Sequence, residues 1–267
     1  MLKDITLGQY FPGQSPIHRF DPRLKVLMVV AYIVALFCAD GPWAYLFCFF
    51  MLALCIGLSR IRPKMMLKGL RPVLFIICFT AVLNMFYTPG VVLWHWWIFT
   101  LTREGIFNAL YMVTRIVMLI MCTALLTYTT SPIALTDALE HLLGPLKKVR
   151  VPVHEFTMMM TIALRFIPTL IEETDKIMSA QKARGADFES GNLIARAKAL
   201  VPVLVPLFVS AFRRADELAT AMECRLYHGG EGRTRLNELH FAGLDFLGGA
   251  LTALCVAAVF VISHFWA

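Results

Sequence analysis

The chain has 267 residues, of which 58% are apolar, 12% aromatic and 16% charged, with a formal net charge of +7. Soluble domains carry roughly 45–50% apolar and about 25% charged residues, so this composition excludes an ordinary soluble domain and indicates a membrane protein. The basic excess flanks apolar stretches rather than forming a soluble basic domain, which excludes nucleic acid as a partner and suits an anionic lipid bilayer.

Residues 1–23 are polar and carry Pro12, Pro16 and Pro22. They lack the early apolar run of a signal peptide, so a retained amino-terminal segment on the cytoplasmic side is expected. Four apolar stretches follow within 24–128, namely Leu24 to Ala39, Pro42 to Leu58, Pro72 to Thr88 and Gly105 to Tyr128; a fifth, Leu244 to Trp266, falls in 241–267. The first three are short against the roughly 20 residues that cross a 30 Å hydrocarbon core. Arg23 and Lys25 can extend the first by snorkelling.

Orientation follows from the bases. The loop after the second stretch holds Arg60, Arg62, Lys64, Lys68 and Arg71 without an acid, and the outer connections are nearly free of bases. The positive-inside rule then puts this loop, the amino terminus and residues 129–240 on the cytoplasmic side, with the chain passing several times through the membrane. Six of the seven cysteines (Cys38, Cys48, Cys55, Cys78, Cys122 and Cys255) lie inside apolar segments without CxxC spacing, which reads as packing.

The region 129–240 predicts one short and two long helices. Ser131 and Pro132 start the short one, whose apolar positions share a face until Gly144 and Pro145 stop it. The long ones span roughly Pro152 to Arg184 and Asn192 to Tyr227, each apolar at first and charged in its last third. Pro168, Pro202 and Pro206 are expected to kink them. Shifted by 41 positions, Asp175 aligns with Asp216 and Arg184 with Arg225, a weak repeat anchored at the charged ends. The fold class expected is therefore an all-α membrane protein with about five transmembrane helices and a cytoplasmic-side domain of one short and two long helices.

Enzymatic signatures are absent. His154 and Glu155 open a HExxH pattern, but Met158 stands where the second histidine belongs. The run GlyGlyGluGlyArgThr at 229–234 lacks the lysine of a P-loop and reads as a helix stop. No cofactor or metal is expected. Arg115 falls near the middle of an apolar stretch, where a charge costs about 2.5–3.5 kcal/mol; it serves either as a lock between helices, through carbonyls or Asn84, or as a substrate contact. Gly249, Ala253 and Ala257 form a small-residue ladder that permits close helix approach.

An arginine at a helix end is favoured by the macrodipole by about 0.3–1 kcal/mol, which accounts for one such residue. Two, with matched aspartates, suit docking of guanidinium forks onto a cytoplasmic partner. The opening IleThrLeuGlyGlnTyrPheProGlyGlnSerProIleHisArgPheAspProArgLeuLys (5–25), AlaArgGly (183–185) and the later glycine-rich run resemble the transmembrane T component of energy-coupling factor importers for vitamins and metal ions. That resemblance implies a non-catalytic scaffold whose two coupling helices dock on two cytoplasmic ABC ATPases and whose membrane face holds a substrate-binding S component. It assigns docking to Ala183, Arg184 and Gly185 and to Cys224, Arg225 and Leu226. Gly185 would form a left-handed cap; leucine at 226 is costly there, so the second helix is expected to run about one turn past Arg225, toward Gly229. The competing reading is a self-contained secondary transporter, which calls for paired ionisable residues at the midplane.

Overall fold

A computed structural model describes residues 10–96, 99–188, 190, 192–229 and 241–266. The described residues divide into two compact units, one within 10–138 and 241–266 and the other within 139–229, the boundary falling inside a helix.

The first unit is built from α1 (Pro16–Arg19), α2 (Pro22–Phe37), α3 (Pro42–Ser59), α4 (Pro63–Leu70), α5 (Leu74–Tyr87), α6 (Arg103–Thr129) and α10 (Gly243–Trp266), with α7 (Pro132–Leu142) crossing the boundary. Proline at the first helical turn starts α1 to α4, where its missing N–H costs nothing. A single 3-10 turn at Arg71–Val73 joins α4 to α5, so the stretch expected as a separate third span is continuous with the basic loop. Between α5 and α6 lies a feature absent from the all-helical expectation, a hairpin of β1 (Val92–Trp96) and β2 (Phe99–Thr102) that pairs Trp96 with Phe99 and Val92 with Thr102.

Four helices are long and apolar enough to cross a membrane in this unit, namely α3, α4 with α5, α6 and α10. At 16 residues, about 24 Å, α2 is shorter than these four, and α9 of the second unit, through Ile194–Glu223, has a comparable length and composition. The core where α2, α3, α6 and α10 meet is Leu36, Ala44, Cys48, Leu52, Met118, Cys122 and Val259. Large apolar side chains outside it stay open, among them Phe75 at 79% and Leu254 at 68% exposure. A surface of this kind suits a hydrocarbon solvent or a partner's apolar face. On α10 the close approach is at Gly248 rather than along the small-residue ladder. A Cβ at Gly248 would stand 2.7 Å from Met28 and 2.8 Å from Phe20, whereas Ala253 and Ala257 are exposed.

The proline-rich opening folds into a polar knot at one end of the bundle. The backbone N–H of Phe11 donates to the Tyr128 carbonyl at 3.0 Å. His18 is held through Nε2 by the Phe11 carbonyl and through Nδ1 by Ser15 Oγ; burial holds its pKa below the usual histidine value. Asp245, at the start of α10, accepts from the N–H groups of Asp21 at 2.8 Å and Ala242 at 2.7 Å. Lys25, 5% exposed, donates through Nζ to the carbonyls of His18 at 3.2 Å and Thr129 at 3.1 Å, closing the carboxyl end of α6.

Lys25→Met strands both carbonyls without a charge to close them and is expected to cost about 2 kcal/mol. Thermal unfolding of the detergent-solubilised chain measures it: Lys25→Met lowers the transition, and Lys64→Met, at an exposed position on α4, leaves it in place.

Candidate functional site: two arginine-tipped helices

The second unit is organised around α8 (Val153–Ala183) and α9 (Leu193–Glu223), preceded by α7, which Ser131 caps by accepting from the Ala134 N–H, and by a 3-10 turn at Gly144–Val149. His154 is engaged by Glu140 at 3.0 Å, and among the described residues no three His, Cys, Asp or Glu side chains gather as metal ligands. Both long helices continue through their internal prolines, Pro168 in α8 and Pro202 and Pro206 in α9.

The 41-residue shift seen at the charged ends extends through the structure. Ser179 Oγ donates to the Asp175 carbonyl at 2.7 Å, and at the shifted position Thr220 Oγ1 donates to the Asp216 carbonyl at 2.8 Å. Where the helices cross, Arg214 Nη2 donates to Glu173 Oε2 at 2.8 Å, and Ser210 Oγ donates to the other oxygen of the same carboxylate. Residues 173 and 214 are themselves 41 apart, so equivalent positions of the repeat meet face to face. Further along α8, Gln181 Nε2 donates to the carbonyl of Pro202, which is earlier in α9. The helices therefore run past each other in opposite senses.

Eleven residues separate Glu173 from Arg184, and eleven separate Arg214 from Arg225. At 1.5 Å per residue each arginine lies about 16 Å from the crossing, so the pair is about 33 Å apart along the helices. The two polar ends sit at opposite ends of the pair, where the sequence alone suggested two helices that each run from membrane to water.

Both tips share one backbone motif. After α8, the N–H of Gly185 donates to the Lys182 carbonyl at 3.0 Å and that of Ala186 to Gln181 at 3.0 Å, with Gly185 at φ +89°. After α9, the N–H of Leu226 donates to Glu223 at 2.8 Å and that of Tyr227 to Met222 at 3.1 Å, with Leu226 at φ +54°. This is the paired cap of a Schellman motif, and in each copy the arginine immediately precedes the left-handed residue. The expected extension of α9 past Arg225 is thus incorrect: the helix ends at Glu223 and Leu226 takes the left-handed position. The left-handed backbone costs leucine about 1–2 kcal/mol, and two cap hydrogen bonds at about 1 kcal/mol each offset it.

Ala183, Arg184, Gly185, Cys224, Arg225 and Leu226 are all exposed. Asp175 is half-buried and Asp216 exposed, and neither forms an ion pair with the arginine downstream of it. The aspartates therefore mark the repeat through backbone positions. Residues 230–234 of the glycine-rich run lie outside the described residues. Glu173 and Arg214 were missed from sequence; extending the 41-residue alignment inward, where glutamate faces arginine, would have found them.

In the first unit, the Arg115 guanidinium lies 5.5 Å from the Phe37 ring and 5.7 Å from the Tyr45 ring. It thereby joins α6 to the end of α2 and the start of α3, while Asn84 donates instead to the Thr80 carbonyl. An apolar cavity of about 150 Å³ between α2, α3, α6 and α10 has Met28, Cys48, Met51 and Cys122 in its wall; its one charged neighbour, Lys25, is committed to two carbonyls.

The family model described as cobalt transport protein matches residues 13–236. The chain is 52% identical over 99% of both chains to the energy-coupling factor transporter transmembrane protein EcfT of Ruminiclostridium cellulolyticum. It is 53% identical to the proteins of that name from Acidaminococcus fermentans, over 99% of this chain and 97% of the relative, and Clostridium kluyveri, over 100% and 99%.

The Glu173–Arg214 pair is part-exposed, so a double-mutant cycle with Glu173→Gln and Arg214→Gln is expected to give a coupling of about 1 kcal/mol in chemical unfolding. A coupling indistinguishable from zero would mean the crossing is held by packing alone.

Proposed function

Because the chain belongs to the family of energy-coupling factor transporter transmembrane proteins and is a multi-pass membrane protein, we propose that it is the scaffold coupling two cytoplasmic ABC ATPases to a membrane-embedded S component. The amino terminus and the α8–α9 unit face the cytoplasm, as the acid-free basic loop Arg60 to Arg71 indicates. The cargo is a vitamin or metal ion held by the S component, and ATP is hydrolysed by the ATPases.

One observation carries this reading: two exposed arginines are presented by the same cap geometry at opposite ends of an antiparallel helix pair. A lone helix-end arginine needs no partner, but two matched ones about 33 Å apart suit a partner with two receiving sites. ATP-driven movement of the receiving sites would pull on both tips, and the crossing at Glu173 and Arg214 would pass the motion through one unit. Arg115, between two aromatic rings, acts as a lock between α6 and the α2–α3 turn. A self-contained transporter would need a polar site in the bundle, and the apolar wall of its cavity gives that reading no support.

Loss of one partner of an interfacial charge pair costs about 2–5 kcal/mol. Arg184→Ala and Arg225→Ala are expected each to weaken retention of an ATPase subunit by tenfold or more in co-purification, with membrane insertion unchanged. The double variant should abolish uptake in cells; normal uptake would refute the assignment. Arg115→Leu should lower the thermal stability of the chain before it alters ATPase retention.

A further inference from the structure

The two tips share a backbone and differ in what they present. The α8 tip reads Gln181, Lys182, Ala183, Arg184, Gly185, Ala186; the α9 tip reads Met222, Glu223, Cys224, Arg225, Leu226, Tyr227. Arginine is the one residue type they share. At the left-handed position one tip has no side chain, and a Cβ added to Gly185 would meet nothing within 4 Å. The other carries a leucine that is 77% exposed.

At this exposure the Leu226 side chain buries little apolar surface among the described residues and does little to offset its left-handed backbone. Glycine would form the same cap without the backbone cost, as Gly185 does at the equivalent position. We propose that Leu226 is a specificity-determining contact, an apolar knob that enters an apolar recess on one of the two ATPase subunits, while the bare Gly185 tip fits the other. The subunit that receives α9 therefore offers an apolar cleft around its arginine site, and the one that receives α8 offers a shallower one. Each ATPase is assigned to its tip by the residue after the arginine.

This rests on the docking reading above, and the experiment separates the two. The tagged full-length chain is co-expressed with both ATPases and the retained amount of each is measured for the natural chain and for Leu226→Gly, Gly185→Leu and Arg225→Ala. Burying a leucine side chain is worth about tenfold or more in affinity. Leu226→Gly is expected to lose roughly tenfold of one ATPase and none of the other, the same ATPase that Arg225→Ala loses; Gly185→Leu should weaken the other one. Leu226→Gly retaining both at the natural ratio, while Arg225→Ala loses one, overturns the knob and leaves docking standing. Equal loss of both on Leu226→Gly also overturns it, since a general defect is no selectivity. If Arg225→Ala retains both, the docking reading fails and the knob falls with it.

Discussion

Glu173 and Arg214 occupy equivalent positions of a 41-residue repeat, and their ion pair marks the point where the two longest helices cross. Everything proposed for the second unit depends on that register. With equivalent positions at the crossing, the two arms beyond it are equal in length, and the two capped arginines come out at matched distances on opposite sides. A slip of one turn would change the arm of the sliding helix by about 5 Å and leave the two unequal. The reversed charges at one repeat position, glutamate on α8 and arginine on α9, allow an attractive contact where two identical copies would repel.

The first unit solves a different problem. A short, apolar bundle in lipid must satisfy its polar ends without help from the hydrocarbon, and the opening segment supplies the groups. Asp245 collects N–H groups from Asp21 and Ala242, Lys25 closes the end of α6 through the Thr129 carbonyl, and Phe11 reaches Tyr128. Residues 5–25 carry part of the family resemblance, and the described portion of that stretch is what ties α2, α6 and α10 together.

Much of this was legible in the sequence, because its signals are local. Composition gave the membrane class, the apolar run from Pro42 gave α3, and Ser131 with Pro132 gave α7, whereas α1 and the α4 helix inside the basic loop were not anticipated. The aspartates and arginines gave the repeat. What sequence did not give depends on pairing at a distance: the antiparallel crossing, the Glu173–Arg214 contact and the knot around Asp245, 224 residues from Asp21. The end of α9 was misjudged for another reason. The cost of a left-handed leucine was weighed alone, without the two cap hydrogen bonds that the position makes possible. The β1–β2 hairpin was missed because its aromatic residues read equally well as a membrane-interface belt.

The central claim is that α8 and α9 each engage a different ATPase subunit, and photo-crosslinking in the assembled complex tests it most directly. With a photoreactive residue in place of Ala183 or of Cys224, one beside each arginine, the account predicts that each position captures one ATPase and that the two captured subunits differ. Capture of the same subunit from both positions, or of none from either, would contradict it.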